Sequence, residues 1–567
     1  MRRELFGVFG GRERFERIRS PAEFDRIVGG ETITVGVRDF ALGLPGRSST
    51  YDAPSGCCAI WGEAFLPRDV ETPLSTAEWL FERYAEEGID AFEKLNGSYL
   101  VALEHDGDGV VVTDPIHSSE GFYADTDHGR CFGSDASRLT RVLDSPTLDC
   151  RGLCEFLHFG LTFGPTTTIT EVRRLPYDGY LTADSTGELS RFVYRPREFE
   201  YAKELAVRLE RAVRRRSTYP GRKGLLMSAG FDSRLLLAGL SDVDVCYTLG
   251  TPSTPEVEIA RKLAAQYGAH HHLLHVNDDY LLAAPDIVRY TQGVRESVHI
   301  HHRGNANEIT TNTIYHGLLL DTLLRGHYLP RDTIHLGPIS RDFPLPRLRP
   351  EPDVPSEFAD RLGYFDGGDR PLVDCREIDA DTPQEFLRET VERHYQRGFD
   401  RADSQYNAMA LLGLKCKSAL PFRNHLADHH LESFVAADAE LIDWHLSTPP
   451  EHRNDRTYQQ ALRLVDGEIL RHRPPDRPHR TYQLNQIEKY LRKTLPVLQP
   501  FGTPWPDRDR IYDENDLDHR LFPDRSDLHA LPPRVKLRIT DARTWLEHAG
   551  RGTVPSADDL VQVSSPL

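Results

Sequence analysis

Lysine is scarce in this chain. Of 69 basic residues in 567, nine are lysine and sixty are arginine, and 87 acidic residues leave a formal net charge of −18. That balance excludes a general nucleic-acid binder, because nothing would neutralise phosphates along a groove. An acidic, lysine-poor surface suits a protein that must stay soluble in concentrated salt, a halophilic habitat. Long apolar runs are missing too. No stretch of about 18 apolar residues occurs, so no membrane span is expected. The start, MRRELFGVFGG, has no apolar stretch of signal-peptide length, so a cytoplasmic protein is expected. The eight cysteines form no CxxC pair and no disulfide framework, which fits a reducing compartment. The adjacent Cys57 and Cys58 read as strand packing rather than redox chemistry.

What is present is length enough for two domains and an extension. Up to about residue 195 the chain reads as β-rich. Short alternating runs such as Tyr99-Leu100-Val101-Ala102-Leu103 and Val110-Val111-Val112 flank Gly/Asp turns. One helix is expected at about 75–94, with Trp79, Leu80, Tyr84 and Phe92 on its apolar face. From residue 198 strands and helices alternate. A strand ends at Met227, a second holds Val243, Val245, Tyr247 and Leu249, and a third runs through 272–276. Helices fall between them, which implies right-handed crossovers and a parallel sheet. The stretch 329–383 reads as an insertion or long loop, 384–470 as helical, and 501–567 as an extension with one helical piece near 535–548.

The informative segment is Leu225-Leu226-Met227-Ser228-Ala229-Gly230-Phe231-Asp232-Ser233-Arg234. Small residues join the end of a buried strand to the start of a helix. Such a turn offers backbone N–H groups and the positive helix end to phosphate oxygens. Ser228 and Ser233 add hydroxyls, and Asp232 adds a carboxylate suited to a hard cation. The spacing is not that of a P-loop. The same residues would also serve an ordinary turn capped by Asp232 or Ser233. Position favours a site, because ligands of open α/β sheets bind at the carboxyl ends of the strands.

This segment resembles the S-G-G-x-D-S pyrophosphate loop of the asparagine synthetase family, with Ala229 in place of one glycine. Tyr247-Thr248-Leu249-Gly250, then Glu256 and the Ala260/Ala264 helix, are similar to that family's next strand and helix. There Leu249 and Gly250 would meet the adenine. Gly317-Leu318-Leu319-Leu320-Asp321-Thr322-Leu323-Leu324-Arg325-Gly326-His327-Tyr328 resembles its G-E-G-S-D-E-x-F-G-G-Y segment. The resemblance makes Asp321 the partner of Asp232 in holding Mg²⁺. Ala419-Leu420-Pro421-Phe422-Arg423 is loosely similar to R-x-P-F-L-D. The first domain resembles the family's glutamine amidotransferase, an N-terminal-nucleophile sandwich, at Leu95–Tyr99, Thr113–Pro115, Phe132–Asp135 and Leu175–Gly179.

The departures matter as much. Active relatives place a nucleophilic cysteine directly after the initiator Met. Here Arg2 follows Met1, the first cysteine is Cys57, and the oxyanion-hole asparagine falls at about Trp61. Leu318 replaces a glutamate, and Leu319 and Leu320 replace glycine and serine, which argues against aspartate as substrate. The family's late catalytic lysine has no clear counterpart. Lys417, also readable as a solvated helix face, and Arg477, in the 471–480 stretch, are the candidates for that role. His299-Ile300-His301-His302 reads as a strand with alternate histidines on one face, short of the carboxylate or cysteine a metal site would add.

The resulting expectation is an α/β and α+β protein. An N-terminal-nucleophile sandwich (1–195) precedes an adenine-nucleotide α-hydrolase-like parallel sheet (198–500) and an extension (501–567). It would bind ATP and Mg²⁺ on Ser228, Ala229, Gly230, Phe231, Asp232, Ser233, Leu249, Gly250 and Gly317 with Asp321. It would join a small carboxylate to ammonia or another amine, releasing AMP and pyrophosphate. Asparagine synthesis proper and a non-catalytic nucleotide-binding scaffold are the alternatives, and a homodimer is compatible with both. Sulfur transfer to RNA is disfavoured by the acidic charge.

Overall fold

The computed structural model describes residues 3–67, 74–240, 242–276, 278–335, 342–495, 497–498, 501, 505–550 and 552–562. Its N-terminal part holds two six-stranded antiparallel sheets. In one, Glu4–Phe9 lies between Gly129–Gly133 and Ile33–Arg38. In the other, Gly56–Phe65 pairs along its length with Asn96–His105. Strand periodicity sends successive side chains to opposite faces. Thus buried Cys57 joins Leu5, Val35 and Val37 between the sheets, while buried Cys58 joins Trp79 and Leu80 of the covering helix Thr76–Glu87. The pair packs, as its alternation implied. That helix stops at Gly88, whose φ of 61° ends it, and the segment to Lys94 continues as a 3₁₀ turn.

A third sheet has five parallel strands: β1 (Lys223–Leu226), β2 (Val245–Gly250), β3 (His270–His275), β4 (Thr313–Tyr315) and β5 (Leu431–Ser433). Their order is β3-β2-β1-β4-β5, all parallel. Between them lie α1 (Phe231–Gly239), α2 (Pro255–Gln266) and α3 (Leu320–Arg325). Central β1 thus delivers the Ser228–Ser233 turn to the carboxyl edge of the sheet, where α/β ligands bind.

Three stretches differ from the sequence reading. The 329–383 segment, read as loop, contains a hairpin (Arg331–His335 with Asp342–Leu348) and a helix, Val354–Leu362, that buries Val354, Phe358 and Leu362. Two prolines in the second strand hid the alternation. His299-Ile300-His301-His302 is no strand: a 3₁₀ turn, Ser297–His299, precedes a second turn at Arg303–Glu308. Beyond residue 501 the described residues hold short helices at Arg508–Glu514 and Leu517–Leu521 besides the one expected. Helix Pro533–Gly550 shares a core with Cys150–Phe159 of the N-terminal part through Ile539, Trp545 and Leu546. Residues 563–567 lie outside the described residues. No described helix is long and apolar enough to cross a membrane.

Candidate active site

The turn after β1 is held by its own side chains. Ser233 Oγ accepts from the Ser228 N–H at 3.1 Å and donates to the Ser228 carbonyl at 3.0 Å. Ser228 Oγ accepts from Gly230 N–H at 3.1 Å. Ala229 N–H donates to Glu256 Oε1 of α2 at 2.6 Å. A carboxylate therefore already rests on an amide that faces anions at a helix start. Arg234, fully buried, ties the carbonyls of Ala229 and Gly230 to those of Ile469 and His472. α1 begins at Gly230 without a side-chain cap, and Asp232 in its first turn complements the helix dipole.

Gly317 joins this turn to the second segment. A Cβ there would lie 2.7 Å from Asp232 Cβ and 3.1 Å from Ser233 N, so only glycine lets the backbones meet. Leu319 keeps a left-handed backbone (φ 69°, ψ −9°) at the position where the resemblance has glycine. This is strained for a bulky residue. Asp321 follows in α3, 43% exposed. Its Oδ1 accepts from the Thr322 N–H at 2.7 Å, and His327 Nδ1 is 3.8 Å from its other oxygen.

Asp232 does not face Asp321 alone. Arg325, the last residue of α3, sets its Nη1 3.1 and 3.4 Å from the two Asp232 oxygens and its Nε 2.7 Å from Asp455 Oδ1. Arg477 Nη1 holds the other Asp455 oxygen at 2.9 Å. The Phe231 ring lies 5.5 Å from the Arg325 guanidinium and 5.4 Å from that of Arg477, and the Tyr458 ring is 5.7 Å from Arg325. Burial raises the Asp232 pKa above the usual carboxylate range, Arg325 opposes it, and the Asp321 charge adds to it. Asp455 is held low by Arg325 and Arg477 against its burial.

Of the two basic residues expected to serve the acyl transfer, one, Arg477, has a contact at the turn. Lys417 ends the helix Gln405–Lys417; burial lowers the pKa of the His327 ring, Asp321 opposes this, and Arg361 and Lys417 add to it. Burial depresses the Lys417 ammonium, Glu296 pulls the other way, and Arg295 and Arg534 lower it further. Leu249 and Gly250 end β2 beside the turn, as the sheet order requires. The sequence reading missed Arg325, Asp455, Tyr458 and the clamp by Arg234. Arg325 was visible as an arginine in a segment where the resemblance has glycine.

Asp232 and Asp321, expected to share Mg²⁺, each have another partner here. Both Asp232 oxygens face a guanidinium, and Asp321 Oδ1 is turned to its own helix. A divalent cation needs those lone pairs and would meet Arg325 as a like charge. The residues do not fit a protein-held metal in this arrangement. Among the described residues no group of three His, Cys, Asp or Glu side chains could hold a metal ion, the 299–302 histidines included. His302 Nε2 instead pairs with His425 Nδ1 at 2.8 Å, and His299 with Glu296 at 3.3 Å.

The N-terminal interior, where the resemblance puts glutamine hydrolysis, is filled by arginine. The Arg3 guanidinium lies 5.1 Å over the Trp61 ring and pairs with Asp39 at 2.6 Å. Arg423 reaches from the other domain to Ser98 Oγ at 3.0 Å and the Ser118 carbonyl at 2.7 Å. The space left is about 20 Å³, room for one water. A larger groove of about 540 Å³ opens between Pro220, Asn312 and Leu431 at the amino ends of the parallel strands. That is the wrong edge for an α/β ligand, so we place the site at the carboxyl edge, on the convergence of amides and charges.

Residues 204–307 match the family model for asparagine synthase. The match spans β1 to β3 and the turn, but stops short of Gly317, Asp321, Lys417 and Arg477. No curated protein matches the chain. Among solved structures, glutamine phosphoribosylpyrophosphate amidotransferase from B. subtilis complexed with ADP and GMP is 11% identical. It covers 64% of this chain and 89% of its own, with a TM-score of 0.23. A structure described as the allosteric regulatory enzyme of purine biosynthesis is also 11% identical, covering 57% of this chain and 76% of its own, TM-score 0.22. Neither alignment bears on the reading of the site.

Proposed function

We propose that this protein is an ATP-dependent, AMP-forming amide ligase that takes ammonia or another amine directly rather than from glutamine. One observation carries the reading: the turn within the asparagine-synthase match stands at the carboxyl edge of a parallel sheet, with Arg325 and Arg477 drawn around it. The amides of the turn, the hydroxyls of Ser228 and Ser233 and the two guanidiniums would hold the phosphates. Leu249 and Gly250 would line the base. A carboxylate attacks the α-phosphorus, pyrophosphate leaves, and an amine then attacks the acyl-adenylate to give an amide and AMP. Lys417, whose ammonium burial depresses, would steady charge at the acyl carbon. Any Mg²⁺ carried in on ATP is part of the substrate.

Loss of glutamine hydrolysis is part of this reading and is supported by the arginine-filled interior of the N-terminal sandwich. Leu318 favours a carboxylate substrate less polar than aspartate. The test is ATP–pyrophosphate exchange in concentrated KCl across a panel of carboxylic acids, aspartate included. Exchange with one acid, lost in Asp232→Asn, is expected. No exchange with any acid in folded, ATP-binding protein would leave a nucleotide-binding scaffold instead.

A further inference from the structure

Given a phosphate site at the 228–233 turn, the reading on which this inference rests, we propose that Arg325 replaces a protein-bound divalent metal as the cation that compensates Asp232 and the bound phosphates. Its position is built rather than incidental. The side chain is 13% exposed, bridges Asp232 and Asp455, and lies between the rings of Phe231 and Tyr458. Arg477 repeats the arrangement on the far side of Asp455, so two guanidiniums balance two carboxylates before any ligand arrives. Asp321, partly exposed, adds one further negative charge.

The bonds to Asp232 and Asp455 use Nε and Nη1 of Arg325. A guanidinium has five N–H donors in a planar fork that matches phosphate oxygens, so donors remain for a polyphosphate. Arg325 stands at the end of α3, and Gly326 turns the chain away with φ 63°. The cation is thus fixed by the same short helix that carries Asp321. A guanidinium, unlike Mg²⁺, cannot leave with pyrophosphate. The pyrophosphate half of the site is then ready without metal.

The experiment uses the full chain, with inorganic pyrophosphate and Mn²⁺ as probes. Pyrophosphate binding is measured by calorimetry in EDTA and in Mg²⁺, and Mn²⁺ binding by electron paramagnetic resonance. Wild type should bind pyrophosphate in EDTA and show no Mn²⁺ site that depends on Asp232. Arg325→Gln should weaken metal-free pyrophosphate binding by about ten- to a hundredfold, the worth of a charged hydrogen-bonding group. It should also gain Mn²⁺ binding that depends on Asp232, because that carboxylate loses its guanidinium. Adding Asp232→Asn to that variant should remove the Mn²⁺. Should Arg325→Gln fail to fold, Arg325→Lys retains the charge but not the fork, and several-fold weaker binding is expected. Wild-type Mn²⁺ binding lost in Asp232→Asn, or pyrophosphate binding only with Mg²⁺, overturns the inference and leaves the ligase reading standing. If wild type binds neither ATP nor pyrophosphate under any condition, both fall.

Discussion

At the junction between the antiparallel sheets and the parallel one, Arg216 is fully buried, with Nε 2.8 Å from Glu63 and Nη1 2.6 Å from Asp438. At the sheet's carboxyl edge, Arg325 makes similar bonds to Asp232 and Asp455, but the carboxylates are 19% and 25% exposed. The bond lengths are alike; the access of water is not. The junction carboxylates have arginine partners on several sides, Asp438 taking Arg215 as well as Arg216, and no space in which to exchange them. The edge network can open towards solvent and accept an anion. Burial turns a charge network into glue, and partial exposure leaves it available for binding.

The largest expected effect lies at the junction. Arg216→Leu would leave Glu63 and Asp438 short of a buried cation. Breaking such a pair costs about 3–5 kcal/mol, because an uncompensated charge stays in low dielectric. Urea denaturation would read it as a lower midpoint with an unchanged slope. A loss below about 1 kcal/mol would show that Arg215 and Tyr219 suffice and that the junction is not the glue described.

Acid should widen the contrast next. Burial holds His117 down to about 3, His158 to about 4, His299 to about 4, His394 to about 3 and His425 to about 3. Each folded pKa lies below the unfolded value of about 6.5, so the unfolded chain binds protons first. The stability these rings confer is complete above pH 6.5 and lost as pH falls from there towards 4. Glu155 and Asp541 oppose this: burial raises them to about 7 and about 6, and acidification relieves them. Five rings outweigh two carboxyls below pH 6. Denaturation midpoints should fall steadily from pH 6 to 4.5, and a flat profile would count against neutral buried rings.

Asp232→Asn should barely register in the same experiment. Its ion pair is partly exposed, and such pairs contribute about 1 kcal/mol or less. The variant should melt within a few degrees of wild type while losing exchange. A collapse of stability instead would make the edge network structural like the junction.

How much of this was legible beforehand follows from physical reach. The turn at Ser228–Ser233 could be read because strand, small residues and helix are contiguous, and the strands at 225–227 and 243–249 because their periodicity is local. Gly317 and Asp321 came through resemblance alone. Arg325 needed the third dimension: its partners stand 93 and 130 positions away, and no local pattern links them. The packing of Trp545 against the N-terminal part is likewise invisible in a helix whose two faces are both buried. The occupation of Asp232 was hidden for a related reason. Two carboxylates were matched in sequence, while the arginine that pairs with Asp232 is seen only in space.

The smallest prediction concerns what occupies the turn. Glu256 Oε1 accepts from Ala229 N–H at 2.6 Å, and burial raises its pKa against that hydrogen bond. It therefore stands where an incoming phosphate oxygen would compete, and its negative charge repels that oxygen. Glu256→Gln keeps the shape and an accepting oxygen while removing the charge. Pyrophosphate should then bind about two- to fivefold more tightly, a gain of about 1 kcal/mol or less for a partly exposed charge. Weaker binding by calorimetry would mean that Glu256 positions the turn for phosphate rather than competing with it. The amides would then need that carboxylate to hold their orientation, and the edge would be nearer to the rigidity of the junction.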